Sequence, residues 1–347
     1  MPFLSTSFIK PALAVSLLTV GSSSGATWQD DGVAATEPTR PPAGTRYRSV
    51  TSLNQKADGF VPQLRGGEIA HTPHWPASLY ATFKDESDAD SFCTAALVGP
   101  GAVLTAAHCV PVDAVLSFDF NGRSYLAACD MHPRWLKTGN QPRDASADFA
   151  LCRVNKRVSG SQTADVSSVV APAGMRYEVV DISNPLSRYA HDRGTDVLLT
   201  GYGCIDDVVG AGTVDGKYRI GRNKIVETSA SATRTRPAQY YSPAERNNLI
   251  TSADSQYANL CPGDSGGPVF MRGADGLPHP NRRVIGVNSR VFYANTPQGA
   301  SRRYEASLLS ATGGPDFPSW ARTWAERGPR VEVCGVNSTA GFCRQPT

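Results

Sequence analysis

The stretch CPGDSGGPVF, residues 261–270, sets one serine between an aspartate and two glycines, behind a cysteine and a proline. Glycines at 263, 266 and 267 let the backbone turn sharply around Ser265. A serine so placed is a candidate nucleophile, although its hydroxyl is a poor one at neutral pH unless a base lies within hydrogen-bond reach. The string satisfies Gly-x-Ser-x-Gly, the elbow between a strand and a helix in hydrolases built on a mostly parallel sheet. It equally satisfies a longer box, Gly-Asp-Ser-Gly-Gly-Pro. The order of the partners along the chain decides between the two.

In the elbow hydrolases the acid and the histidine follow the serine. Beyond Ser265 the chain offers only His279, in the polar run GADGLPHPN, with Asp275 as the sole acid between them. That acid is too close to be a separate loop residue, and strands followed by crossover helices are missing. The reverse order, His-Asp-Ser, is available upstream. LTAAHC (104–109) offers His108 beside Cys109, and ADFALCRV (147–154) offers Asp148 ahead of an alternating apolar strand.

Length and composition agree with a globular protein rather than a disordered one. The chain has 347 residues, 40% hydrophobic and 19% charged, with a net charge of +3 spread without a basic block. That balance predicts ample core, in one large domain or two small ones, and no preference for nucleic acid or anionic membranes. Lys10, the apolar run PALAVSLLTV and the small residues GSSSGA read as a signal peptide over 1–26, cut after Ala26. The run is too short to cross a bilayer and no second such stretch follows, so the expectation is an exported protein, secreted or periplasmic, with no integral membrane segment after signal removal. Residues 27–63, rich in Pro, Thr and Gly, read as a propeptide or linker.

Eight cysteines, at 93, 109, 129, 152, 204, 261, 334 and 343, form no C-x-x-C pair. An even count in an exported chain predicts four disulfides, with about 105 connectivities open, rather than a metal knuckle or a redox site. No metal constellation is visible; the acidic run KDESDAD (84–90) could hold a calcium loop but reads more simply as a solvated loop. Short apolar segments between turn signals, from ASLYATF through SFCTAALVG, AVLTAAH, AVLSFDF, SYLAAC, DFALCRV, DVLLTGYG and GPVFM to RVIGVNS, predict an all-β barrel or sandwich. The polar stretch 159–174 could join two halves. PSWARTWAERG near the end carries Trp320, Ala321, Trp324 and Ala325 at helical spacing, stopped by Gly328 and Pro329.

LTAAHC, DFAL and GDSGGPV, in that order, together resemble the boxes of the trypsin-like serine proteases. RGG (65–67), PASL, HPRW, TGYG, VIGVNS and SWARTW extend the resemblance along residues 64–328. It implies an all-β fold of two six-stranded antiparallel β-barrels with a C-terminal α-helix, followed by a tail over 329–347. It also implies a serine endopeptidase acting on protein or peptide substrates through an acyl-enzyme, without a cofactor or metal, and met in turn by an activating protease or an inhibitor. Ser265 would be the nucleophile, His108 the general base and Asp148 the group that orients the imidazole, with the Gly263 and Ser265 amides as oxyanion hole.

Further expectations follow from the resemblance. Asp264 would pair with the α-ammonium of Leu64 once a propeptide is removed, which makes the chain a zymogen. The sequence departs from the family there: Gln63 stands where a basic residue is usual and Arg65 occupies an otherwise apolar position, so cleavage before Gly66 is the alternative. The family pattern pairs Cys93 with Cys109 and suggests Cys129–Cys152 and Cys204–Cys261, leaving Cys334–Cys343. Asn259 would fall at the base of the primary specificity pocket with no acid for Lys or Arg, and Ser289 at its rim. Arg290 and Val291 stand where the family has Trp-Gly, and Val291 would narrow the pocket toward small or medium apolar side chains. Backbone along 289–291 would pair with the substrate as an added strand. The competing reading is a catalytically silent relative that binds peptides or a partner through the same cleft.

Overall fold

The computed structural model describes residue 64 and, with interruptions, residues 67–343. Residues 1–63, 65–66, 72–73, 85–88, 111–113, 121, 137–143, 160–161, 166–176, 190–193, 206–213, 232–244, 272–281, 296–301, 329 and 344–347 lie outside the described residues. The expected leader and propeptide therefore fall outside them, as do Gln63, Arg65, Gly66, His279 and the middle of the acidic run 84–90.

Fifteen strands and one α-helix are described, with a few short 3-10 turns. Strands β2 (Ser78–Lys84), β3 (Asp90–Gly99), β4 (Ala102–Thr105), β5 (Val115–Phe120), β6 (Arg123–Met131) and β7 (Ala150–Ser159) pair in the order β4-β3-β2-β5-β6-β7. A β4–β7 pairing closes the ring. Strands β10 (Thr195–Gly201), β11 (Arg219–Thr228), β12 (Asn248–Thr251), β13 (Pro268–Met271), β14 (Arg283–Asn295) and β15 (Arg302–Ala311) run β11-β10-β13-β14-β15-β12, closed by β11–β12. The fold is thus two closed six-stranded antiparallel barrels, which leave no unpaired edge. Three short strands sit outside the rings: β1 (Glu68–Ile69) on β11, β8 (Gln162–Asp165) on β7, and β9 (Val179–Val180) parallel to β14.

Alternating side-chain direction explains why some strands read as continuous apolar runs. In β3, Ala95 and Leu97 face the first barrel's interior with Leu79, Leu116 and Phe118. Their neighbours Ala96 and Val98 face a second core, shared between the barrels, with Trp75, Leu104, Phe149, Phe270 and Val287. In β10, Val197 and Leu199 fill the second barrel while Leu198 joins the shared core. By contrast β5 has one face in water, and its exposure alternates.

Helix α1 (Phe317–Glu326) follows the last strand and crosses back to the first barrel. Proline near its first position suits a helix start, where an amide proton has no partner in any case. It begins at Phe317, one residue ahead of the segment PSWARTWAERG, and Phe317, Ala321, Trp324 and Ala325 form the buried face. Trp320 is only half-buried, against His132. Trp324 donates from Nε1 to Asp130 Oδ2 at 2.7 Å and lies under the Arg153 guanidinium. The tail beyond the helix is stitched to the body: Cys334 N–H donates to Val98 O and Val180 N–H to Cys334 O. In the NST triplet (337–339), the Asn337 side chain bonds Val333 N–H and Val331 O of that tail.

Candidate active site

His108 sits in the 3-10 turn Ala107–Cys109 that ends β4, and the Cys93–Cys109 disulfide ties the turn to β3. Asp148 precedes β7 and is wholly buried. Its carboxylate accepts three hydrogen bonds: Oδ1 from the His108 backbone N–H at 2.9 Å, and Oδ2 from His108 Nδ1 and the Ser289 hydroxyl, both at 2.6 Å. Burial pushes the Asp148 carboxyl up, but the neighbouring His108 and the hydrogen bonds from His108 and Ser289 outweigh it and hold the group below its ordinary value. An ionised carboxylate can only accept, so the proton of a neutral His108 is on Nδ1 and Nε2 keeps a lone pair. Trp135 lies against the imidazole, ring centroids 6.2 Å apart.

The loop of Ser265 rests on the first barrel. Thr94 N–H donates to Ser265 O at 2.8 Å, and Gly266 N–H and Asn288 N–H bond Asn288 O and Gly267 O across to β14. Gly263 (φ +94°) and Gly266 (φ +79°) lie where other residues are strained. A Cβ at Gly263 would also collide with the Phe92 ring, and one at Gly266 with Thr105 and the Thr94 carbonyl. Neither the Gly263 nor the Ser265 amide donates to another described residue.

Asp264 is wholly buried, with Oδ1 accepting from Gly203 N–H at 2.8 Å and Oδ2 from Cys261 N–H at 2.9 Å. No described cation forms an ion pair with it. Burial raises its carboxyl to about 7, against those two bonds and the field of Arg219. Leu64 is buried in the second barrel's core, where its side chain abuts Gly221 beside Ala258. No described bond joins it to Asp264.

The surroundings of the four residues expected to line a specificity pocket are as follows. Asn259 is fully buried, its Oδ1 facing Asn223 Nδ2 at 3.4 Å. The Ser289 hydroxyl goes to Asp148. Arg290 forms a forked ion pair with Glu245, at 3.3 and 3.0 Å, and so points along β14 toward β12. Val291 is half-buried, packed on the Cys204–Cys261 disulfide and the second barrel's core. Four disulfides are formed, Cys93–Cys109, Cys129–Cys152, Cys204–Cys261 and Cys334–Cys343, and no described cysteine is free. Cys93, His108 and Cys109 lie within metal-binding distance of one another, but both sulfurs are oxidised and offer no thiolate. A shallow cleft elsewhere is lined by His132, Pro133, Asp316, Ser319, Trp320 and Thr323, and contains none of His108, Asp148 and Ser265.

Sequence reasoning passed over Thr94, Asn288 and Trp135. Asn288 Nδ2 donates to Thr200 O at 2.8 Å and Asp264 O at 3.0 Å, joining β10 to the serine loop. Its place just ahead of Ser289 was the available signal.

The sequence model of the family described as Trypsin matches residues 64–304, more than half of the chain. The chain belongs to the trypsin family, that of the trypsin-like serine proteases. Among solved structures, one titled "Structure of GrC" aligns at 17% identity over 76% of this chain and 99% of that chain, with a TM-score of 0.46. Four disulfides fit an oxidising, extracellular setting. No described helix is long and apolar enough to cross a membrane.

Proposed function

We propose that the protein is an exported serine endopeptidase in which Ser265, His108 and Asp148 form the catalytic triad. The observation that carries this reading is the Asp148 carboxylate, buried and holding three donors, one of them His108 Nδ1 at 2.6 Å. With Nδ1 fixed, His108 Nε2 takes the Ser265 proton as Oγ attacks the scissile carbonyl carbon. The carbonyl oxygen becomes the oxyanion, met by the uncommitted amides of Gly263 and Ser265. As the tetrahedral species collapses, the imidazolium gives its proton to the departing amine and the acyl group stays on Ser265. Water then repeats the sequence and frees the acid.

Residues 1–26 are the leader in this reading, 27–63 the propeptide, 64–328 the protease and 329–347 its tail. The uncut chain is a zymogen whose Asp264 awaits a cationic partner. A folded pKa raised above the unfolded value means that the folded chain holds the proton more tightly. The stability this contributes is complete below the ordinary carboxylate range and is lost as pH rises through about 7. The uncut chain is therefore expected to lose thermal stability from this group between about pH 4 and pH 7. A chain beginning at Leu64, its ammonium on Asp264, should show a flatter profile there. Melting curves of both forms check this, and parallel profiles would mean that no ammonium reaches Asp264.

Val291, packed on the Cys204–Cys261 bridge, supports a narrow pocket for small or medium apolar P1 side chains. Buried Asn259 supplies no charge for Lys or Arg. Removing the valyl side chain in Val291→Gly is expected to raise kcat/KM for P1 Leu or Phe relative to P1 Ala by at least about tenfold, the scale of one to two methyl groups in a pocket. Cleavage of a P1-varied peptide library by both proteins is the test. A wild-type preference for Lys or Arg would overturn the pocket reading. A library bound but cleaved nowhere would favour the silent relative.

A further inference from the structure

Two consecutive peptide planes meet at Gly263, and each is held by its carbonyl. Pro262 O accepts from the Cys204 N–H at 2.9 Å. Gly263 O accepts from Thr94 Oγ1, also at 2.9 Å. In a trans peptide the N–H points opposite to the C=O. Holding Pro262 O against Cys204 therefore turns the Gly263 N–H away from that segment. Holding Gly263 O against Thr94 turns the Asp264 N–H back to Cys261 O, which it meets at 3.0 Å. With both planes caught, the left-handed φ of Gly263 is fixed between them.

Thr94 is wholly buried on β3, next to Cys93, whose disulfide leads to the turn of His108. All its polar groups are engaged at the site. Its N–H holds Ser265 O, its hydroxyl donates to Gly263 O and accepts from Tyr202 N–H at 3.0 Å, and its carbonyl accepts from Thr105 Oγ1 at 3.0 Å. One hydroxyl thus joins the serine loop to the 201–204 segment, whose Gly203 holds Asp264.

We propose that Thr94 is a positioning residue of the hydrolytic site: its hydroxyl holds the Gly263–Asp264 peptide plane, and so the left-handed turn at Gly263 that sets how the Gly263 and Ser265 amides stand relative to one another at the oxyanion. The proposal rests on the endopeptidase reading above. Thr94 touches no substrate and acts only through the loop.

Thr94→Val keeps the shape and removes the hydroxyl, whereas Thr94→Ser keeps it. In the secreted protein, T94V is expected to lower kcat about 10- to 100-fold while KM stays within about twofold, since donor placement matters only as charge develops. A peptide aldehyde, which mimics the tetrahedral oxyanion, should bind more weakly by the same factor, and T94S should lie within about threefold of wild type on every measure. Some loss of melting temperature in T94V is expected as well, because Gly263 O and Tyr202 N–H lose a partner, but that alone does not separate kcat from KM. Wild-type kcat and aldehyde affinity in T94V, or a loss that T94S fails to restore, would overturn the proposal. Hydrogen exchange across residues 259–267 needs no turnover: faster exchange in T94V alone supports the pin, and unchanged exchange refutes it. Should wild type take no fluorophosphonate while T94V still loosens 259–267, the endopeptidase reading fails and the pin does not.

Discussion

Ser265→Ala is expected to lower kcat/KM by about 10⁵- to 10⁶-fold, the scale on which a serine protease loses its nucleophile. KM for a peptide should barely move, because the cleft walls and the β14 backbone are untouched. The fold should not notice the change. The loop is held by main-chain bonds, Thr94 N–H to Ser265 O and Gly266 N–H to Asn288 O among them, and alanine keeps every one. A melting temperature near that of wild type would therefore accompany near-complete inactivity. A residual rate about 10³-fold above water is still expected, from the oxyanion amides and substrate binding. A mere several-fold loss would place the nucleophile elsewhere.

Asp148→Asn is expected to cost on the order of 10⁴-fold in kcat. The carboxylate accepts three donors, whereas an amide has one oxygen and a donating nitrogen. The fixed His108 backbone N–H keeps the new amide oxygen at the place of Oδ1, so the amide nitrogen stands at the place of Oδ2. There it meets the Ser289 hydroxyl, which can turn to accept, and the His108 Nδ1–H. The imidazole relieves that contact by carrying its proton on Nε2, the wrong nitrogen to receive one from Ser265. Stability should fall too, with a defined pH dependence. The folded carboxyl is held below its ordinary value, so its contribution is present above the unfolded pKa and lost as pH falls through the folded one. The melting-temperature gap between wild type and Asp148→Asn should be full at pH 7 and shrink in acid. Normal kcat in the variant would separate Asp148 from the chemistry.

Much of this site is legible in the linear sequence because Ser265, His108 and Asp148 each lie within a local motif, and their order excludes the parallel-sheet alternative. The barrels are legible where strands bury both faces, as in β3, since continuous apolar runs between turns admit few other structures. Strands β11, β12 and β15 went unread for a physical reason. They carry buried polar residues, which a reading of apolar runs passes over. Arg219 is buried against Asp215, and Asn223 is buried among the backbone of Lys224 and Ala258. Charged residues at the start of β15 masked its apolar end. The helix is legible from its spacing, with Ala321, Trp324 and Ala325 buried as it implies; Phe317, one residue ahead of Pro318, is the buried position that the spacing left out.

The pocket was least legible. Residue identity at 259, 289 and 290 does not say where a side chain points, and here one is capped by Asn223, one by Asp148 and one by Glu245. Thr94 shows the same limit. A threonine on an apolar strand reads as an ordinary β-former. Its role depends on a carbonyl 169 residues away.

The most direct measurement is the intact mass of the purified protein after exposure to a fluorophosphonate, alongside Ser265→Ala. The expected result is a chain beginning at Leu64 that gains one adduct, absent from the variant. A chain trimmed to Leu64 that takes no adduct, or an adduct that persists in Ser265→Ala, would contradict the assignment of Ser265 as an activated nucleophile.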